Sequence, residues 1–104
     1  MSAMANLVDI RMHDGSRHFG SLPQPVLWYD LRDHVTTLPG ATLTEFACDG
    51  VTEGWILFSY QGYEFSINDQ FGEYWFFVQD PDCFDAVLQT VLAHFEKLLA
   101  PHQI

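Results

Sequence analysis

Residues 54–82, GWILFSYQGYEFSINDQFGEYWFFVQDPD, hold three short runs of aromatic and β-branched residues separated by turn signals. Ten aromatic residues fall between Trp55 and Phe77, and the last run stops at Asp80-Pro81. Such runs, bounded by Gly, Asn and Asp, read as strands of an antiparallel meander. A two-residue turn at Gln61-Gly62 sets the first register: Tyr60 faces Tyr63, Phe58 faces Phe65 and Ile56 faces Ile67. These pairs share one side and form a core face, with Ser59, Glu64, Ser66 and Asn68 on the other. The second turn lies within Asp69-Gln70-Phe71-Gly72 and leaves two registers open. A four-residue loop puts Tyr74, Phe76 and Val78 on the core face, and a slip of one residue puts Trp75 and Phe77 there instead.

Downstream, Asp80 and Pro81 suit the N-cap and first position of a helix, and Asp82 and Asp85 suit the positive end of its dipole. Phe84, Val87, Leu88, Val91, Leu92, Phe95, Leu98 and Leu99 supply an apolar stripe at helical spacing, which Pro101 terminates. Upstream, Ala41–Cys48 is a fourth strand with Thr42, Thr44 and Phe46 on one face, followed by a turn at Asp49-Gly50. Before it, Pro23 and Pro25 precede a helix over about 25–37 in which Leu27, Leu31, Val35 (or His34) and Leu38 recur. Pro39-Gly40 ends that helix. Residues 1–22 carry a weak alternation at Leu7–Met12 and a polar turn at His13–Ser16. They read either as an N-terminal edge strand or as a loosely ordered tail. The expected fold is a single α+β domain over residues 1–104, a two-layer sandwich of order α-β-β-β-β-α. In it a four-stranded antiparallel meander carries an N-terminal and a C-terminal helix on one face, with an extra N-terminal edge strand as an option.

Charge narrows the function classes. Four Lys and Arg stand against fourteen Asp and Glu, a net −10. Eleven of those acids lie between Arg32 and Lys97, with no fixed cation among them. Such a surface repels phosphate backbones and anionic lipid headgroups, so neither nucleic acid nor a membrane is an expected partner. A basic protein surface is the complementary one. Cys48 and Cys83 show neither metal-ligand spacing nor a disulfide framework, and no apolar run reaches the length of a membrane span. The N-terminal residues lack the charged and apolar regions of a signal peptide. The expected setting is the cytoplasm, with both thiols reduced.

The run Ile67–Val78 followed by Asp80-Pro81, together with His13–Ser16 and Tyr29–His34, resembles small uncharacterised proteins of proteobacteria. That likeness covers most of the chain and implies no assigned activity. The chain is also similar to frataxin in architecture and acidity. That resemblance would imply iron handling by the acidic first helix, here residues 25–37, where Arg32 and His34 offset Asp30 and Asp33.

No nucleophile elbow surrounds Ser16, Ser21, Ser59, Ser66, Cys48 or Cys83. Cys83 falls in the predicted first turn of the last helix, beside Asp82 and Asp85, and reads as an inert thiol. Asp80 and Asp82 read as capping residues, since only one helix follows them. Neither NDQFGE nor QDPDCFD matches a calcium loop. His13, Asp14 and His18 include competent metal-ligand types but not a metal-site spacing, and His34 and His94 sit at the edges of their helices' apolar faces. The expectation is no enzyme, no cofactor and no metal.

The second sheet face carries the functional reading. With the four-residue loop, Trp55, Leu57, Trp75 and Phe77 point away from the helix-covered face, with Ser66 between Leu57 and Trp75 on the middle strand. With the slip, Tyr74, Phe76 and Val78 take the place of Trp75 and Phe77. So large an apolar surface needs either residues 1–22 folded over it or a partner. These four are the expected partner-binding residues, for a basic protein or a second copy of the chain.

Overall fold

In chain order the elements are β1 (Ile10–Arg11), β2 (Arg17–Pro23), α1 (Trp28–Val35), β3 (Thr42–Cys48), β4 (Gly54–Tyr60), β5 (Tyr63–Gln70), β6 (Glu73–Val78) and α2 (Asp85–Leu99). They come from a computed structural model that describes residues 7–23, 27–48, 54–70 and 72–99. The expected turn at Asp49-Gly50, the loop residue Phe71, and the roles given to Pro25 and Pro101 lie outside the described residues. The side chains of Cys48 and Gln70 lie outside them too.

The strands form one antiparallel sheet in the order β1-β2-β6-β5-β4-β3. Strands β3 to β6 are the expected meander, so the α+β antiparallel reading stands while the four-strand count is corrected to six. The added strands come from the segment left open between edge strand and tail. Arg17 to Pro23 pair along β6, and β1 pairs with β2 through Ile10↔His18 and Arg11↔Arg17. Their connecting turn is the polar one read at His13–Ser16. Gly15, at φ 91°, donates to the Met12 carbonyl, and Met12 donates to the Ser16 carbonyl.

The hairpin at Gln61-Gly62 has the predicted register, Tyr60↔Tyr63, Phe58↔Phe65 and Ile56↔Ile67. Both turn residues have positive φ, 55° and 82°, the backbone whose twist matches the flanking strands. Between β5 and β6, Gln70 faces Glu73, so two residues connect the strands rather than four. The shift is an even number of residues, so side-chain parity is kept. Tyr74, Phe76 and Val78 face the core, and the one-residue slip does not occur. Ser66, however, lies between Leu57 and Phe77, and Asn68 takes the position beside Trp75.

β3 carries an irregularity between Leu43 and Glu45 that changes its faces. Leu43 pairs with Phe58 and Phe46 with Ile56 on the core side, while Thr42 falls opposite Ser59 on the other. The extra residue, Thr44, breaks the simple alternation that had grouped Thr42 with Phe46.

Both helices pack on the core face. The Trp28 ring meets Tyr74 edge-on at 4.8 Å, and Phe95 of α2 lies 5.1 Å from Phe76 and 5.9 Å from Phe58. α1 is shorter than the predicted 25–37, and Trp28 rather than the exposed Leu27 joins Leu31 and Val35 in the core. α2 starts at Asp85, not at Pro81. Asp80 instead closes a separate turn, accepting from the Asp82 N–H on its carboxylate and from the Cys83 N–H on its carbonyl. Phe84 then supplies the first carbonyl of the helix and is 70% exposed, outside the apolar stripe it was assigned to.

Candidate docking face of the sheet

On the face opposite the helices, directly opposed residues line up in rows across the strands. One row runs Ala47, Trp55, Asn68, Trp75, Ser21, and the next runs Glu45, Leu57, Ser66, Phe77, His18. The four residues singled out from sequence therefore share this face. They do not form one continuous patch. The small polar side chains of Ser66 and Asn68 on β5 separate Trp55 and Leu57 from Trp75 and Phe77. The surface is a trough along β5, with an apolar wall on β4 and an aromatic wall on β6.

The two walls differ in exposure. Trp55 is 47% exposed and Leu57 half-buried, whereas Phe77 is only 8% exposed. The cover comes from β2. His18 stacks on Trp75 with ring centroids 4.4 Å apart and planes 12° from parallel, and its ring lies 5.1 Å from Phe77. His18 is buried and its Nε2 pairs with the Gly20 carbonyl at 2.9 Å. That burial holds its pKa below the usual imidazole value, against smaller opposing effects of the Gly20 carbonyl and Glu73. The sequence places His18 with His13 and Asp14 at a polar turn, and this aromatic stacking is not legible in it. The signal that bears on it is the excess apolar surface of this face, which calls for residues 1–22 or a partner to cover it.

Above the trough stands the β1–β2 turn. Met12, Asp14 and Ser16 line, with Ser66, Asn68, Trp75 and Phe77, a cleft of about 450 Å³. A second cleft of about 290 Å³ shares Asp14, Ser16 and Ser66 and continues to Leu57, Glu64 and Gln79. The Asp14 carboxylate accepts from the Ser16 N–H at 2.9 Å and from its hydroxyl at 2.7 Å. These bonds hold the Asp14 pKa below the usual carboxylate range, the hydroxyl contributing most. Around the rim, Glu45 accepts from the Trp55 indole at 2.7 Å, and Glu73 from that of Trp75 at 3.4 Å. On the floor, the Asn68 Oδ1 is buried without a hydrogen-bond partner.

The four cations are engaged or placed elsewhere. Arg11 bonds Asp9, and Arg17 donates to the Val8 carbonyl and reaches Asp85 at the start of α2. Arg32 pairs with Asp33 and lies over the rings of Tyr29 and Phe46 on the helix side, and Lys97 is in the last turn of α2. Among the described residues no Lys or Arg lines either cleft.

Cys83, His34 and His94 are committed to the fold. Cys83 precedes α2 instead of sitting in its first turn, and it is buried. Burial, reinforced by Asp80, pushes its thiol up to about 11. His34 and His94 stack at 4.1 Å across the two helices, each with its Nε2 on the other's backbone carbonyl, at 2.7 and 2.9 Å. Burial is the largest effect lowering the His94 pKa. Among the described residues there is no group of three or more His, Cys, Asp and Glu able to hold a metal ion. His13 and Asp14 remain on the turn while His18 turns under Trp75. Among the same residues, no helix is long and apolar enough to cross a membrane. Comparison of the chain with protein-family models, with curated proteins and with solved structures finds no match.

Proposed function

We propose that this chain is a non-enzymatic protein-interaction module, an adaptor, inhibitor or immunity-like protein, whose helix-free sheet face docks a basic partner. One observation carries the reading. The face joins apolar walls at Trp55, Leu57 and Trp75 to a rim of Asp14, Glu45, Glu64 and Glu73, with no fixed cation along the clefts. Apolar area supplies affinity, while one-signed charge speeds encounter and rejects acidic competitors. Three side chains suited to nucleophilic or acid–base work support the same assignment. Cys83 is buried with a raised thiol pKa, and the buried His18 and His94 each place Nε2 on a backbone carbonyl.

The test is retention of proteins from native cell extract on immobilised chain, against a Trp55→Ser/Leu57→Asp variant with an unchanged melting curve. The expected result is a partner held at low salt, released at high salt, and absent from the variant column. Equal retention by both columns, or no retained protein beside a monomer on sizing, would sink the reading.

A further inference from the structure

Resting on the docking face proposed above, we infer that the trough along β5 receives a single arginine side chain presented by the partner protein. Neighbouring strands lie about 4.8 Å apart, so the β4 and β6 walls stand roughly 10 Å from each other across β5. That width admits one planar group between them and not two. The two clefts share Asp14, Ser16 and Ser66, so they adjoin at the β1–β2 turn, one reaching Trp75 and the other Leu57.

Its charged groups are carboxylates. Asp14 presents a carboxylate whose position is fixed by two bonds from Ser16. Glu64 adds a second carboxylate along the slot. A guanidinium matches this arrangement better than an ammonium. It is planar, stacks on indole and donates from its edge in several directions, whereas an ammonium is a strongly hydrated point charge. The chain's own arginines argue against a second copy as the donor, because Arg11, Arg17 and Arg32 are each already bonded within the fold.

The experiment is an NMR titration of the ¹⁵N-labelled protein with a blocked pentapeptide, Gly-Gly-Arg-Gly-Gly, and its lysine and citrulline counterparts. Citrulline keeps the planar shape and removes the charge. The expected result is a saturable shift of the Trp75 indole, the Asn68 side-chain amide and the Ser66 amide with the arginine peptide. The citrulline peptide should bind about tenfold more weakly or worse, as loss of a charge-assisted contact requires. Asp14→Asn keeps the oxygen that Ser16 bonds and loses only the charge, so it should weaken binding with the rest of the spectrum unchanged. Equal binding of the citrulline peptide, shifts mapping to α1 or α2, or no saturable shift would overturn the proposal. So would the same shifts on concentrating the protein alone, which would assign the trough to a second copy. Failure here with a face-dependent partner still retained from extract removes the arginine slot and leaves the docking face standing.

Discussion

Gly20 of β2 lies close against Leu92 of α2. A Cβ built there would lie 2.6 Å from Leu92 Cδ2 and 3.0 Å from Cδ1, and Leu92 is itself buried in the core. Gly20→Ala should therefore cost about 1–3 kcal/mol in urea unfolding, as overpacking does. The cost should shrink in a Leu92→Ala background, and an unchanged cost there would show that the strain comes from the backbone of β2. Two buried imidazoles give the fold a pH dependence. Burial depresses the folded-state pKa of His18 and His94, so their neutral forms are favoured by folding. Their contribution is complete above the ordinary imidazole value of about 6.5, and is lost as pH falls from there toward the depressed values. Unfolding free energy should drop between pH 7.5 and 5.5, and His94→Gln should flatten part of that slope. The carboxylates of Asp9 and Asp14 are likewise depressed, and their share is lost only below about pH 4.

At the scale of elements, the β4–β5 hairpin was legible because turn chemistry and apolar alternation agree. Gln61 pays a local penalty there, being a non-glycine residue at φ 55°. Asparagine tolerates that conformation better, so Gln61→Asn should stabilise the protein by about 0.5 kcal/mol, read from the denaturant midpoint. β2 was hidden for an identifiable reason. The register shifts between His18↔Phe77 and Gly20↔Phe76, leaving Phe19 as an extra residue, and the next large core side chain after Phe19 is Leu22. A spacing of three does not resemble a strand, and Pro23 at its end looked like the approach to a helix. The start of α2 was misplaced because Asp80 meets the requirements of an isolated turn as well as those of a helix cap. Of the docking face, the side on which Trp55 and Leu57 lie was readable from parity, while that of Trp75 and Phe77 depended on the β5–β6 loop. The division of that face by Asn68 and Ser66 was not readable, because it depends on a loop length that parity leaves free.

For the whole molecule, the N-terminal hairpin is part of the core rather than an appendage. Phe19 and Leu22 are buried, and Phe19 lies 5.9 Å from Phe65 and 6.3 Å from Phe76. Loss of a buried Phe alone costs about 3–5 kcal/mol, a large part of a typical stability of 5–15 kcal/mol. A chain beginning at Leu27 would also leave β6 as an open edge and strip His18 from Trp75 and Phe77. It should lose amide dispersion in NMR spectra or aggregate, and a folded monomer from that truncation would refute this role. The sequence by itself determined the class of fold, the β4–β5 register, the core parity of Ile56, Phe58, Tyr60, Phe65 and Ile67, and the one-signed charge. All of these follow from local periodicity, turn residues and composition. Only the tertiary structure decided that β2 completes the sheet, that His18 covers Phe77, and that Asp14 stands over Asn68 and Ser66. Those juxtapositions join residues fifty to sixty-one positions apart, and pairing over such distances depends on how whole elements bury one another, which no local pattern encodes.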